Sequence, residues 1–141
     1  MAFYGSTDWL NLFKDSINSD KEFKKASSRF SASMLIVTNI QGLPRPVYVW
    51  MDVHEGTMRE WAYVAEPSER KAEFTFTSDY FTWKAICQAE LDVIKAVVTG
   101  RIKLAGNKLK LLKQTKSSLA LLGVMKKLDT QFPDDVFQKQ A

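Results

Sequence analysis

The chain opens on a helical rhythm: Trp9, Leu10, Phe13 and Ile17 recur at the three- and four-residue spacing of one helix face, with Ser6 or Thr7 as cap. "NSD" at 18–20 interrupts it, and Asp20 can cap a second short helix through Phe23 and Ala26. The period then drops to two. "SMLIVTNI" (33–40), "VYVWMDVH" (47–54) and "TMREWAYVA" (57–65) are rich in Val, Ile, Trp and Tyr and are joined by "QGLPRP" and an "EG" turn, which predicts strands. "EPSERK" is a polar loop, and "EFTFT" (73–77) puts Phe74 and Phe76 on one face of a short strand. Helical spacing returns in "DYFTWKAICQAEL", capped by Ser78, with Tyr80, Trp83 and Cys87 on one side. Asp92 can cap "VIKAVV", which Gly100 ends in the left-handed conformation. "RIKLA" follows as a strand with Ile102 and Leu104 inward and Arg101 and Lys103 outward, and 107–128 reads as one long amphipathic helix. This order of elements predicts an α+β fold in a single domain over 1–141: helices, a meander of about four strands, helices, one more strand and a closing helix.

Two segments carry more apolar positions than one buried face needs. Along 47–53, Val47, Val49, Met51 and Val53 form one alternate set, while Tyr48 and Trp50 lie on the other. A small antiparallel sheet that is apolar on both faces needs cover on both. Helices supply it on one; the second is closed by more core or encloses a cavity for an apolar ligand. In the closing helix, Leu111, Leu112, Thr115, Ser118, Leu119, Leu122 and Met125 trace a broad stripe, and Lys110, Lys113 and Lys127 lie away from it. That pattern predicts a helix packed by its stripe with lysines in water.

Charge changes the picture only locally. Residues 1–92 hold 13 acidic and 10 basic side chains, whereas 93–128 hold nine basic and no acidic ones, so the net charge of +4 belongs to one region. That region has one arginine and no aromatic residue, which argues against a nucleic-acid site. Transient contact of the basic closing helix with an anionic membrane surface requires only charge and a little apolar area, and stays open. No span is apolar enough to cross a bilayer, and "MAFYGSTDW" lacks the apolar block of a secretory signal. A lone cysteine excludes an internal disulfide and fits a reducing compartment, so a cytoplasmic location is expected. His54 and Cys87 have no partners at metal-ligand spacing and read as a turn histidine and a packed thiol, with a Cys–His enzyme as the weak alternative. Glu90 and Asp92 are two apart and do not share a helix face. Asp52, in an otherwise apolar strand, is either a paired buried acid or an edge residue facing water. Neither a metal nor a cofactor is expected.

"QAELDVIKAVVTGRIKLAGNKLKLL" (88–112) resembles the signature of the sterol carrier protein type 2 domain, carried here by Glu90, Leu91, Asp92, Ala96, Gly100, Ile102, Lys103, Gly106 and Asn107. "FTFTSDYFTWKAI" looks like that family's strand leading into a helix, and "TDWLNLFKDSINSDKEFKKASSRF" is similar to the opening helices of its prokaryotic stand-alone members. The resemblance implies a largely antiparallel, mixed sheet of about five strands covered by helices, with an apolar tunnel between them. Its wall is expected to include Trp50, Phe74, Phe76, Phe81, Trp83, Ile86, Leu112, Leu119, Leu122 and Met125. It also implies non-enzymatic binding or transfer of a fatty acid, acyl-CoA, phospholipid, sterol or quinone-type ligand. The alternative is a protein-interaction or basic-surface module with a filled core; the sequence assigns no oligomeric state. Two departures stand out: Ala89 replaces the family's usual glycine, and "FQKQA" is not a peroxisomal tripeptide of the Ser-Lys-Leu type.

Overall fold

The computed structural model describes residues 2–134. A two-residue strand, β1 (Ala2–Phe3), precedes α1 (Thr7–Ser19), which starts where the Ser6 hydroxyl accepts the Trp9 N–H at 3.1 Å. Asp20 ends α1 and caps α2 (Lys21–Ala26) by accepting the Phe23 N–H at 2.8 Å. Three eight-residue strands follow, β2 (Ala32–Asn39), β3 (Val47–His54) and β4 (Thr57–Val64), then a 3₁₀ turn at Pro67–Glu69 and β5 (Phe74–Asp79). The chain continues through α3 (Tyr80–Cys87), α4 (Val93–Val98), β6 (Lys103–Ala105), α5 (Lys108–Leu112), α6 (Thr115–Lys127) and β7 (Thr130–Gln131).

Five strands form one sheet in the order β4-β3-β2-β5-β6, with β2 and β5 parallel and the other neighbours antiparallel. The α+β class and the mixed five-stranded sheet are therefore as the resemblance implies, but the four-strand meander is not formed, because β5 returns beside β2 in parallel and leaves β4 at the edge. The small parallel pair β1–β7 was not expected: two residues per strand carry no periodicity to read.

Register decides which apolar set faces the helices. Met34 pairs with Met51 and Phe74, and Ile36 with Val49 and Phe76, so these side chains share one face. Helix α1 packs on β4, α3 on β2 and β5, and α6 closes over α1 to α4. On the opposite face Leu35 pairs with Trp50 and Val37 with Tyr48, and the loop after β4 closes over them. There the Trp50 indole donates to the Lys71 carbonyl at 3.0 Å, and the Arg70 guanidinium sits 4.6 Å from the ring centre. Asp52 lies on this face as a half-buried acid paired with Arg59 at 2.7 Å.

Two predicted boundaries move. Helix α3 is capped by Asp79, not Ser78, whose hydroxyl instead donates to the Arg101 carbonyl at 2.7 Å; and α3 ends at Cys87. The Glu90 N–H closes that end by reaching the Ala85 carbonyl at 2.9 Å, which places Ala89 in the left-handed region at φ 59°. Helix α4 ends the same way: the Arg101 N–H meets the Ala96 carbonyl at 2.9 Å and Gly100 has φ 83°. The predicted single closing helix is two, α5 and α6, broken at Lys113 and Gln114, where no side chain caps the restart.

Candidate functional site

Between the helix-facing side of the sheet and the helices lies a cavity of about 330 Å³. Strand β3 contributes its whole alternate set to the wall, Val47, Val49, Met51 and Val53, and β2 contributes Met34 and Ile36. Trp9, Leu10, Phe13 and Ile17 of α1 face them, the residues whose spacing marked that helix in the sequence. Helix α3 adds Trp83, Ile86 and Cys87, α4 adds Val93 and Ile94, and α6 adds Leu121 and Met125. The cavity runs along β3 from Val47 to Val53, a span of ~20 Å for six residue steps. Val47, 38% exposed, is the sole exposed side chain among the described lining residues, so this end, with Gly5 and Ile40, is the mouth.

The described lining residues include no aspartate, glutamate, lysine, arginine or histidine. Polar atoms concentrate at the two ends. Near the mouth, the Tyr4 hydroxyl bonds to Thr38, and burial pushes its ionisation far above the ordinary phenol range. Tyr80 donates to Asp134 at 2.7 Å and is likewise pushed up, chiefly by burial. Lys84 pairs with the same carboxylate and, by that hydrogen bond, holds Asp134 below the usual range. At the inner end, fully buried Ser27 donates to the Ser117 hydroxyl at 2.8 Å, and that oxygen lies 3.1 Å from the Ala26 carbonyl and 3.2 Å from Gln114 Oε1. Ser118 donates to Asp92, which also caps α4 by accepting the Ile94 N–H at 2.8 Å.

Of the residues expected in the wall, Phe76, Trp83, Ile86 and Met125 line the cavity. Trp50 does not: its position in the pleat turns it to the opposite face, under Arg70. Phe74 is fully buried within the core and outside the lining. Phe81 and Leu119 are 47% and 55% exposed, and Leu112 and Leu122 are half-buried away from the cavity. The closing helix faces inward through Gln114, Ser117, Ser118, Leu121 and Met125, a stripe turned by less than one residue from the leucine-weighted one. The physical reason is hydrogen bonding. Serines 117 and 118 are small enough to let α2 and α4 approach, and their hydroxyls are satisfied there, so they are buried while Leu119 is not. The α1 and β2 contributions were legible as core but not as cavity.

The signature residues build the fold around this space. Asp92 and Asn107 cap α4 and α5, and Ala96 and Ile102 are buried at 0% and 1%. Gly106, at φ 127°, passes so close to its neighbours that a Cβ would lie 2.7 Å from both the Glu73 carbonyl and the Phe74 ring. Gly100 ends α4, Leu91 packs against the core, and Glu90 and Lys103 face water. Lys110 is not one of the solvated lysines: its ammonium bonds Glu73 at 2.6 Å and the Ser31 carbonyl at 3.0 Å. His54 sits on the surface with Ser31 and Glu55 as neighbours, while Cys87 is in the cavity wall with its thiol pushed up to about 12 by burial.

The α+β sheet and its helical cover border an apolar cavity of ligand size. A family model described as the SCP-2 sterol transfer family matches residues 10–117, and the chain belongs to that family. The fold is shared with a crystal structure of sterol carrier protein 2, at TM-score 0.74 and 21% identity over 87% of this chain and 97% of that one. A conserved hypothetical protein from Thermus thermophilus, described as a candidate sterol carrier protein, aligns at TM-score 0.77 and 21% identity over 89% and 90% of the two chains. Palmitated SCP2L2 from Aedes aegypti aligns at TM-score 0.52 and 16% identity over 82% and 89%. No curated protein matches the chain.

Proposed function

We propose that this protein binds one lipid-like molecule in the cavity and carries it without transforming it. The observation that carries the reading is the cavity itself, about 330 Å³ of space walled almost wholly by carbon. Family membership supports lipid binding or transfer in general. The solved relative with palmitate attached supports occupancy of this fold by a long alkyl chain. Taking ~30 Å³ for a water-sized group, the space accepts about eleven methylenes. At ~0.8 kcal/mol each they contribute about 9 kcal/mol before ordering costs, which makes micromolar binding (~8.2 kcal/mol) the tightest that the chain contacts alone allow. The carrier reading is preferred to an enzyme because the cavity's one thiol is held protonated and the histidine lies outside the wall. For delivery, exposed Lys113, Lys116 and Lys126, which have no ion-pair partner among the described residues, would meet an anionic membrane surface. Displacement of a fluorescent alkyl probe by alcohols of increasing length tests the binding. Affinity should rise with each methylene to about eleven and then level off. Absence of probe binding, with the fold intact by circular dichroism, refutes it.

A further inference from the structure

The end of the sheet that carries the mouth also gathers exposed apolar side chains. Strands β2, β4 and β5 end there and β3 starts there, as the pairs Thr38 with Val47, Tyr48 with Val64 and Asn39 with Asp79 fix. Val47 lines the cavity and is itself exposed. Leu43, 43% exposed, closes a turn on Ile40 of the lining, its N–H reaching the Ile40 carbonyl at 3.1 Å. Tyr63, 45% exposed, donates its hydroxyl to the carbonyl of Gly5, another lining residue. Exposed Phe3 starts the turn that holds Gly5, its carbonyl accepting the Ser6 N–H at 3.1 Å. Exposed Phe81 meets the ring of Tyr80, also in the lining, edge-on at 4.9 Å. Each of these side chains is thus tied to a residue of the mouth, whereas exposed Leu12, Val98, Leu109 and Leu119 lie on four different helices.

Charge narrows what can cover this rim. The segments that carry it, 3–8, 40–47, 63–66 and 79–84, hold two cations, and both are paired, Arg45 with Glu66 and Lys84 with Asp134. The same segments add two acids, Asp8 and Asp79. The rim therefore leaves no cation to draw in an anionic surface, unlike the face of Lys113 and Lys116. What it offers is apolar area, and three of its side chains, Phe3, Tyr63 and Phe81, are aromatic, the class that settles at headgroup level in a bilayer. Because the rim is continuous with the cavity wall, an alkyl chain can pass from a bilayer into the cavity without being bared to water.

We propose that Phe3, Leu43, Val47, Tyr63 and Phe81 form a docking surface that seats the protein mouth-first on an electrically neutral bilayer when it takes up its ligand. The Leu43 turn and the start of α3 enter the boundary between headgroups and acyl chains. Such attachment is apolar and insensitive to salt, which separates it from the contact that the α6 lysines would make with an anionic surface. This rests on the binding function proposed above.

The test attaches a polarity-sensitive fluorophore to Leu43→Cys or, as control, to Lys116→Cys, native Cys87 being buried, and adds phosphatidylcholine vesicles at high salt. The label at position 43 should shift to the blue and the label at 116 should not. The double variant Leu43→Asp, Phe81→Asp should partition onto the vesicles about tenfold less than the parent. Its urea midpoint and its binding of a soluble fluorescent alkyl probe should stay close to the parent's. If vesicle binding vanishes at high salt, survives the double variant unchanged, or shifts the label at 116 instead, the docking surface is overturned and the carrier reading stands. A blue shift on concentrating the protein without vesicles means that the rim meets a second copy of this chain, which also overturns it. If the parent does not bind the soluble probe, the carrier reading falls, and the uptake role of the rim falls with it.

Discussion

Replacing Leu121 by Trp puts extra bulk into the cavity, because Leu121 is half-buried and lines it from α6. The indole adds about 60 Å³ over the isobutyl group, the bulk of two water-sized groups out of about eleven. A lipid chain excluded from two methylene positions loses ~1.6 kcal/mol, or roughly fifteenfold in affinity. Because the indole enters the cavity and not packed core, the substitution should cost little stability, with a urea midpoint close to the parent's. A filled core predicts the reverse: overpacking would cost roughly 1–3 kcal/mol of stability with no ligand effect to measure. Leu122 is the control, since it is equally half-buried on the same helix but outside the wall. Leu122→Trp should bind a fluorescent alkyl probe like the parent. Equal effects of the two substitutions on binding, or a Leu121→Trp protein that binds normally, would refute the cavity reasoning.

Cys87, Ala89, Gly106 and the exposed lysines each give a further check. Cys87→Ser should leave probe binding within twofold, and native Cys87 should resist a thiol reagent at pH 8 that labels the urea-unfolded chain at once. Its pKa is raised by folding, so its contribution is intact below the ordinary value of 9 and stability should fall as pH rises from there toward about 12 in alkaline melts. Ala89→Gly should stabilise by up to about 1 kcal/mol in a urea melt, left-handed strain relieved outweighing the entropy glycine adds to the unfolded chain, whereas Gly106→Ala should destabilise because Glu73 and Phe74 leave no room. Changing Lys113, Lys116 and Lys126 together to Gln should leave equilibrium probe binding unchanged but slow transfer to anionic vesicles several-fold at low salt, an effect that vanishes at high salt; unchanged transfer rates would remove the membrane contact through this face.

How far the sequence could be read depended on whether local chemistry or long-range register decided each element. Caps are local, and Ser6, Asp20 and Asp92 start the helices they mark, while α3 starts at Asp79, one residue beyond the Ser78 that the sequence offered. The turn at Ala89 was visible as a missing glycine, and the backbone keeps the glycine-like conformation regardless, because the Glu90 to Ala85 bond requires it. Trp50 shows the opposite case. Its strand is apolar on both faces, so alternation could not say which face the helices would choose; only pairing with β2 and β4 settles it. The closing helix failed for a different reason. Hydrophobicity ranks Leu119 and Leu122 above Gln114, Ser117 and Ser118, but burial follows the satisfied hydrogen bond as well as the apolar side chain. Serines 117 and 118 find Ser27 and Asp92, residues about 90 and 26 positions away that no helical period can announce. The part of the wall hardest to see in the sequence is thus its polar end.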